Sequence, residues 1–559
     1  MLFSALSLCA VLLGAVTAAP AKPDDDGRRG HGGGRGHGGN RGLGIGTLVD
    51  LGYTQYQGVK LAAGVNQYLG LRYAAPPLGD LRFRAPAETV KNGTIQAASQ
   101  HGPLCYSVGA GVKTGQSEDC LFIDVYAPSN ATQKSKLPVF FWIQGGGYTS
   151  NANANYNGTD LVNSSGGNMV VVNFNYRVGP FGFLASEKVR KNGDLNVGLL
   201  DQRKALQWVK QHIGKFGGDP DRVVVVGASA GAGSIAMHLL AYGGRNDHLF
   251  VGAIGESVFF PTQPQVSELE WQFTDFANAA GCSSGDQVAC LRSKDSATLQ
   301  TANSAFPYPG KSAAPLFEYS PCIDGSLLTD YPYKLFEEGK VVHVPIIFGN
   351  DETEGSYFAV NASSPEDIST FFMNNYPKLS ASDTNAINSQ YPLSQYPPAP
   401  QHNQCFNAAS YAYGETTFNC PGLLVTRTYT QYMQAATTWS YRYNVLDPAN
   451  AAAGLGTPHT FEVPAVWGTD SNAGGNGSSA YQTTNRPDVP LVMDYWVSFV
   501  RSLNPNTYKE PASPQWDVFG QEQRRLLIEG GGRASMESVD AGQKGRCAFW
   551  EGLSVTMEQ

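Results

Sequence analysis

Phe216-Gly217-Gly218-Asp219-Pro220-Asp221-Arg222-Val223-Val224-Val225-Val226-Gly227-Ala228-Ser229-Ala230-Gly231 decides how this chain is read. Four consecutive valines fit a strand covered on both faces, because β-branched side chains pack well on a buried pleat. The small residues that follow, Ala230 to Leu240, suit a helix packed close against that strand. Ser229 then falls on the sharp turn between strand and helix, with glycines two residues before and two after it. This G-x-S-x-G spacing is that of a nucleophile elbow, which presents a serine oxygen at the end of a parallel sheet.

Outward from the elbow, apolar runs alternate with helical ones. Gln67–Tyr73, Leu121–Tyr126, Pro138–Ile143, Met169–Phe174, Val223–Val226 and Pro345–Phe348 read as strands. Asn196–Phe216, with Leu199, Leu206, Val209 and Ile213 at helical spacing, and Leu491–Leu503, ended by Asn504-Pro505, read as helices. Gly255-Glu256-Ser257 lacks the closing glycine of an elbow and is read at the end of a core strand. Such alternation predicts an α/β fold, a large mostly parallel sheet flanked by helices and carrying large insertions. Gly310-Lys311-Ser312 imitates the end of a phosphate-binding loop, but Ala305 stands where that loop requires glycine.

The ends and the composition narrow the setting. Residues 1–19, MLFSALSLCAVLLGAVTAA, have the apolar core and small-residue tail of a secretory signal, with cleavage after Ala18, Ala19 or Ala21. The run is too short to span a bilayer, and no later stretch approaches one. Residues 20–46 form a Gly/Arg/His tract that buries nothing and is expected to be a disordered linker, His31 and His37 included. Residues 47–559 are expected to form one catalytic domain. Six sequons, at Asn92, Asn130, Asn157, Asn163, Asn361 and Asn476, fit secretion. So do the eight cysteines left once Cys9 departs with the signal. A formal charge of −8 argues against a nucleic-acid partner. No C-x-x-C pair or H-E-x-x-H supports a metal site.

A serine nucleophile needs a histidine base held by a carboxylate, in the chain order Ser, acid, His. His101, His212, His238, His248, His343 and His402 either precede the acid or lack a loop context. His459, within Gly456-Thr457-Pro458-His459-Thr460-Phe461-Glu462-Val463, is read in an exposed loop. The strand Val344–Gly349 is followed by Asn350-Asp351-Glu352-Thr353-Glu354-Gly355, and the residues alone leave Asp351, Glu352 and Glu354 all open. Gln144-Gly145-Gly146-Gly147, directly after a strand, offers backbone N–H groups for an oxyanion hole.

These blocks together resemble the type-B carboxylesterases of the cholinesterase/lipase family, α/β-hydrolases, in the manner of a secreted fungal-type member. The serine block, Glu118-Asp119-Cys120-Leu121-Phe122-Ile123-Asp124-Val125, Asn175-Tyr176-Arg177-Val178-Gly179-Pro180-Phe181-Gly182 and Gly198-Leu199-Leu200-Asp201-Gln202 carry the likeness, which covers roughly residues 47 to 555. It implies that Glu354 is the triad acid beside Ser229 and His459, whose H-x-x-E motif runs on to Val466-Trp467-Gly468. It assigns the oxyanion donors to Gly146, Gly147 and Ala230. It further implies disulfides Cys105–Cys120, Cys282–Cys290 and Cys420–Cys547, leaving Cys322 and Cys405 to pair by elimination.

Two positions depart from many relatives: Ala228 stands where they have Glu, and Gln144 where they have His. The Cys105–Cys120 loop has no tryptophan to hold choline, and only Tyr106, Val108 and Val112 to make an apolar lid. The expectation is therefore a secreted hydrolase of carboxylic esters, using no cofactor and forming an acyl-enzyme on Ser229. Its alternatives are a triacylglycerol lipase acting at an oil–water surface and, from another class, a non-catalytic adhesion protein of the neuroligin kind.

Overall fold

The computed structural model describes residues 46–559 apart from 110, 153, 434 and 472–478. The expected signal (1–19), the tract as far as residue 45 and the sequon at Asn476 lie outside the described residues. Eleven strands make the main sheet: β1 (Val59–Lys60), β2 (Val65–Arg72), β3 (Phe122–Pro128), β4 (Leu137–Ile143), β5 (Val170–Phe174), β6 (Gly218–Ala228), β7 (Gly252–Glu256), β8 (Ile346–Asp351), β9 (Thr438–Asn444), β10 (Arg524–Glu529) and β11 (Arg533–Ser538). Their spatial order is β11-β10-β9-β8-β7-β6-β4-β5-β3-β2-β1. From β5 to β10 every neighbouring pair is parallel, and both edges turn antiparallel.

The valine run lies at the centre of this sheet, between β4 and β7. Strand pleating sends Val223 and Val225 into one core and Val224 and Val226 into the other. On the first face pack α1 (Val197–His212) and α2 (Ala230–Gly244), through Leu199, Leu206, Val209, Ile235 and Leu239. On the second packs α3 (Asp488–Ser502), through Val492, Trp496 and Phe499. The helix expected over 196–216 ends at His212 and closes with one 3-10 turn, Ile213–Phe216. Asn196 enters it in the left-handed region, at φ 52°.

Three of the implied disulfides are bonded: Cys105–Cys120, Cys282–Cys290 and Cys420–Cys547. The fourth pairing is wrong, since Cys322 and Cys405 are both free and buried. Each backbone is pinned elsewhere. Cys322 exchanges two 2.9 Å hydrogen bonds with the Asn196 side chain, whereas the Cys405 N–H donates to Ala362 O at 3.0 Å. Burial pushes both thiols up, so they behave as small apolar side chains rather than nucleophiles.

Candidate active site

Ser229, Glu354 and His459 all emerge beyond the carboxyl ends of the parallel strands, the usual place for a site in an open α/β sheet. Ser229 follows β6, Glu354 opens a 3-10 turn just after β8, and His459 lies in the segment after β9. Ser229 has φ 58° and ψ −126°, a sparsely populated conformation for a residue with a Cβ. Its N–H donates to Glu256 O at 2.9 Å and its carbonyl accepts from the Gly233 N–H at 2.9 Å, which fixes the turn from both sides. The flanking glycines are required by closeness. A Cβ on Gly231 would lie 1.9 Å from Ile143 O, and one on Gly227 would lie 2.6 Å from the same oxygen. The end of β4 therefore presses directly against the elbow.

His459 sits in a loop as expected, but it is buried, only 6% exposed. Glycine and proline marked the turn and said nothing of what covers it. Its Nδ1 is 2.5 Å from Glu354 Oε2. The other Glu354 oxygen accepts from the Asp351 N–H at 2.8 Å and from Asn350 Nδ2 at 3.2 Å. Of the three acids left open, only Glu354 faces the histidine. Glu352 turns to Arg442, at 2.7 Å. Asp351 accepts from the Phe461 N–H at 2.9 Å. His459 Nε2 is buried and has no hydrogen-bond partner among the described residues. A bond from nucleophile to base often tightens only when substrate is present.

Behind this pair lies a group of carboxyls whose gathering the sequence did not point to. Glu256, Asp351 and Glu462 are fully buried, and none forms an ion pair with Lys or Arg among the described residues. Burial, reinforced by the neighbouring carboxylates, raises Asp351 well above the ordinary carboxylate range. Glu256 is raised by burial and by Glu462, and Glu462 is raised chiefly by burial. Neutral donors serve them instead: Trp496 Nε1 to Glu256 at 2.7 Å and the Tyr441 hydroxyl to Glu462 at 2.7 Å. Glu462 was visible as the acid of the H-x-x-E motif, but only the fold shows that it belongs to this group.

The glycine loop Gly145–Gly147 follows β4 after the single residue Gln144. Gly146 has φ 115° and Gly147 φ 62°, and neither amide donates to any acceptor among the described residues. Ala230 is the first residue of α2, where N–H groups have no intrahelical partner. Gln144 holds the loop with its side-chain amide, donating to Phe174 O at 2.8 Å and to Asn175 Oδ1 at 3.0 Å. Tyr176 donates to Gln144 O at 2.9 Å. Ala228 is wholly buried in the second core and brings no charge to the site.

Aromatic rings wall the same region. Phe418 and Phe358 lie 4.2 and 5.1 Å from the His459 ring, centroid to centroid, and Phe317 packs against Gly147. Phe317 also meets Phe259 at 4.8 Å and Phe358 at 5.7 Å. Phe317 and Phe358 come from inserted segments without a motif, so nothing in the sequence singles them out. Beside Phe317, the buried Glu318 accepts the Phe306 N–H. Burial pushes its carboxyl to about 8, with Asp275 adding to the rise.

A serine on a strained turn, a buried histidine–carboxylate pair and unengaged backbone amides are the parts that acyl transfer requires. Comparison with known proteins agrees. Among solved structures, Aspergillus niger EstA is similar over 92% of this chain and 99% of its own, with 50% identity and a TM-score of 0.90. A structure titled PNB esterase matches over 90% and 99%, with 26% identity and a TM-score of 0.74. Lipase 1 of Geotrichum candidum is 30% identical over 86% of this chain and 92% of its own length. Secreted lipase 1 of Botryotinia fuckeliana is 30% identical over 83% and 86%. A family model described as the carboxylesterase family matches residues 48–550. The chain therefore belongs to the carboxylesterase family of α/β-hydrolases and is a carboxylic ester hydrolase.

Proposed function

We propose that the chain is a secreted esterase in which Ser229, His459 and Glu354 form and break an acyl-enzyme. The observation that carries this reading is the buried His459–Glu354 pair at 2.5 Å, beside a serine held at φ 58°. His459 Nε2 takes the Ser229 proton as Oγ attacks the ester carbonyl, and the resulting imidazolium rests against Glu354. The amides of Gly146, Gly147 and Ala230 receive the tetrahedral oxyanion. His459 then protonates the departing alcohol, and water repeats the sequence on the acyl-enzyme.

Esterase is favoured over interfacial lipase by the way the Cys105–Cys120 loop is tied down. Gln300 Nε2 donates to Ser107 O, Gly109 O and Gly111 O, and Asn303 Nδ2 donates to Ser107 O. Val108 N–H is bonded to Thr149 O in the glycine loop region. A lid that swings would have to break this set together. Secretion is supported by relatives named as secreted lipases, and no helix among the described residues is long and apolar enough to cross a membrane. The free Ser229 also leaves little reason for a purely adhesive role.

An alkyl phosphonate ester tests the assignment. One equivalent should label Ser229, seen by peptide mass, and abolish hydrolysis of p-nitrophenyl acetate. Ser229→Ala should fold, bind no label and lose turnover. A label on another residue, or an active Ser229→Ala protein, would overturn it. Smooth saturation with soluble tributyrin supports esterase, whereas a jump in rate at the solubility limit supports lipase.

A further inference from the structure

Away from the active site, a groove of about 550 Å³ lies beside the outer strands, within the roughly 300–1,000 Å³ span of small-molecule sites. Half-buried Tyr53 and Phe122 line it, with the Arg72 guanidinium 4.5 Å from the centre of the Phe122 ring. Lys91 and Gln96 add polar walls. The groove is thus an apolar floor edged by donors, and one of its lining residues is the sequon asparagine Asn92.

Asn92 is held firmly while its reactive nitrogen stays free. Its backbone N–H donates to Tyr53 O at 2.7 Å. Its Oδ1 accepts from the Thr94 N–H at 3.0 Å and from the Thr94 hydroxyl at 2.8 Å. Gln96 Nε2 donates in turn to Thr94 Oγ1 at 2.7 Å. No acceptor among the described residues takes Asn92 Nδ2. The other described sequons do not line this groove: Asn130, Asn163 and Asn361 are exposed elsewhere, and Asn157 is half-buried.

We propose that Asn92 carries an N-linked glycan whose first N-acetylglucosamine seats in this groove. The inference rests on the secretory reading above. Attachment joins Asn92 Nδ2 to the anomeric carbon of a lipid-pyrophosphate-linked oligosaccharide. The anomeric C–O bond breaks, the lipid pyrophosphate leaves, and Nδ2 gives up one proton. Transfer precedes folding and needs only the Asn-Gly-Thr tripeptide; the folded groove decides where the sugar then lies. Its C–H face lies along Tyr53 and the free edge of Phe122, and its hydroxyl and acetamido groups reach Lys91 and Gln96, while Arg72 stays over the Phe122 ring, paired with Asp119 at 2.7 Å. Weak contacts suffice, because a short covalent tether holds the sugar at an effective concentration in the millimolar range.

The full chain, made with its own leader in a eukaryotic secretory host, tests this by glycopeptide mass spectrometry. Asn92 should be occupied. In the native protein, peptide N-glycosidase should release its glycan about tenfold more slowly than that of Asn163, the difference that 1.4 kcal/mol of docking provides. Phe122→Leu should narrow the gap while leaving native esterase activity unchanged, and denaturation should abolish the gap. Glycans at other sequons with Asn92 bare would overturn the inference and leave secretion standing. Equal native release rates at an occupied Asn92 would overturn the docking. A chain without any glycan would overturn both readings.

Discussion

Replacing Gly147 by alanine should damage the glycine loop, to which we assign the oxyanion, in a way that a second substitution repairs. A Cβ at this position would lie 2.1 Å from Phe317 Cδ1 and Cε1, where carbon atoms normally approach to about 3.5–4 Å. The ring must therefore yield by roughly 1.5 Å, the difference between those separations. It is backed by Phe259 at 4.8 Å and Phe358 at 5.7 Å, so it cannot swing freely. Overpacking of this kind costs about 1–3 kcal/mol. The φ of 62° adds about 1–2 kcal/mol for a residue with a side chain. The sum, about 2–5 kcal/mol, is divided between stability and displacement of the amide, and losing one oxyanion donor outright costs about 10²–10³ in kcat. Phe317→Ala should remove the overpacking part, giving a favourable coupling of about 1–3 kcal/mol in a double-mutant cycle. Gly146→Ala is the control. Its Cβ would meet a backbone oxygen, Ser150 O, at 2.1 Å, and no side-chain truncation can relieve that. The assay is kcat/KM on p-nitrophenyl butyrate together with thermal unfolding of all five variants. Rescue of Gly146→Ala by Phe317→Ala to the same extent, or no rescue of Gly147→Ala, would refute the reasoning.

Three other expectations follow from the geometry. Glu354→Gln should lower kcat by roughly 10⁴, as loss of the orienting carboxylate does in comparable triads, while Asp351→Asn and Glu352→Gln should stay within about tenfold; stopped or steady-state esterase rates that reverse this order would contradict the placement of the acid. Glu318 is raised from its ordinary range to about 8, so the folded state favours its protonated form. Its stabilising contribution is complete below about pH 4.5 and is lost as pH rises through about 8. Melting temperature measured from pH 5 to 9 should therefore fall more steeply in the native chain than in Glu318→Gln, and parallel curves would contradict the burial argument. Finally, Ellman's reagent should find two thiols per mature chain after denaturation, from Cys322 and Cys405, and almost none before it; a fourth disulfide by peptide mapping would count against the structure.

How much of this was legible beforehand depends on what kind of order each residue carries. The valine run announced its strand because both its faces are buried, and the elbow announced itself because its glycines answer a backbone contact that any such turn must make. Strand β9, Thr-Trp-Ser-Tyr-Arg-Tyr-Asn, went unread although it alternates aromatic and polar residues, and the β10–β11 hairpin is an edge feature with mixed polarity. Glu354 could be chosen over Asp351 and Glu352 only through family likeness, since neighbouring acids differ in direction and not in chemistry. The carboxyl group of Glu256, Asp351 and Glu462 is spread along roughly two hundred residues of chain and exists only once strands β7 and β8 lie side by side and the segment after β9 folds over them. Cysteine counting failed at Cys322 and Cys405 because an even number permits a pair but does not bring two backbones together.

The contact of Gly227 and Gly231 with Ile143 O has a consequence for how such a protein can change. That oxygen ends the strand leading into Gln144 and the glycine loop, so Ser229 and the glycine loop hinge on one joint and share one error in position. The aromatic rings around them hang from other segments, Phe317 before β8 and Phe358 and Phe418 after it. Reaction geometry and substrate preference are thereby written in separable parts of the chain. Changes at Phe358 or Phe418 can therefore reshape the wall of the site from outside the joint, while the joint itself tolerates scarcely a methyl group.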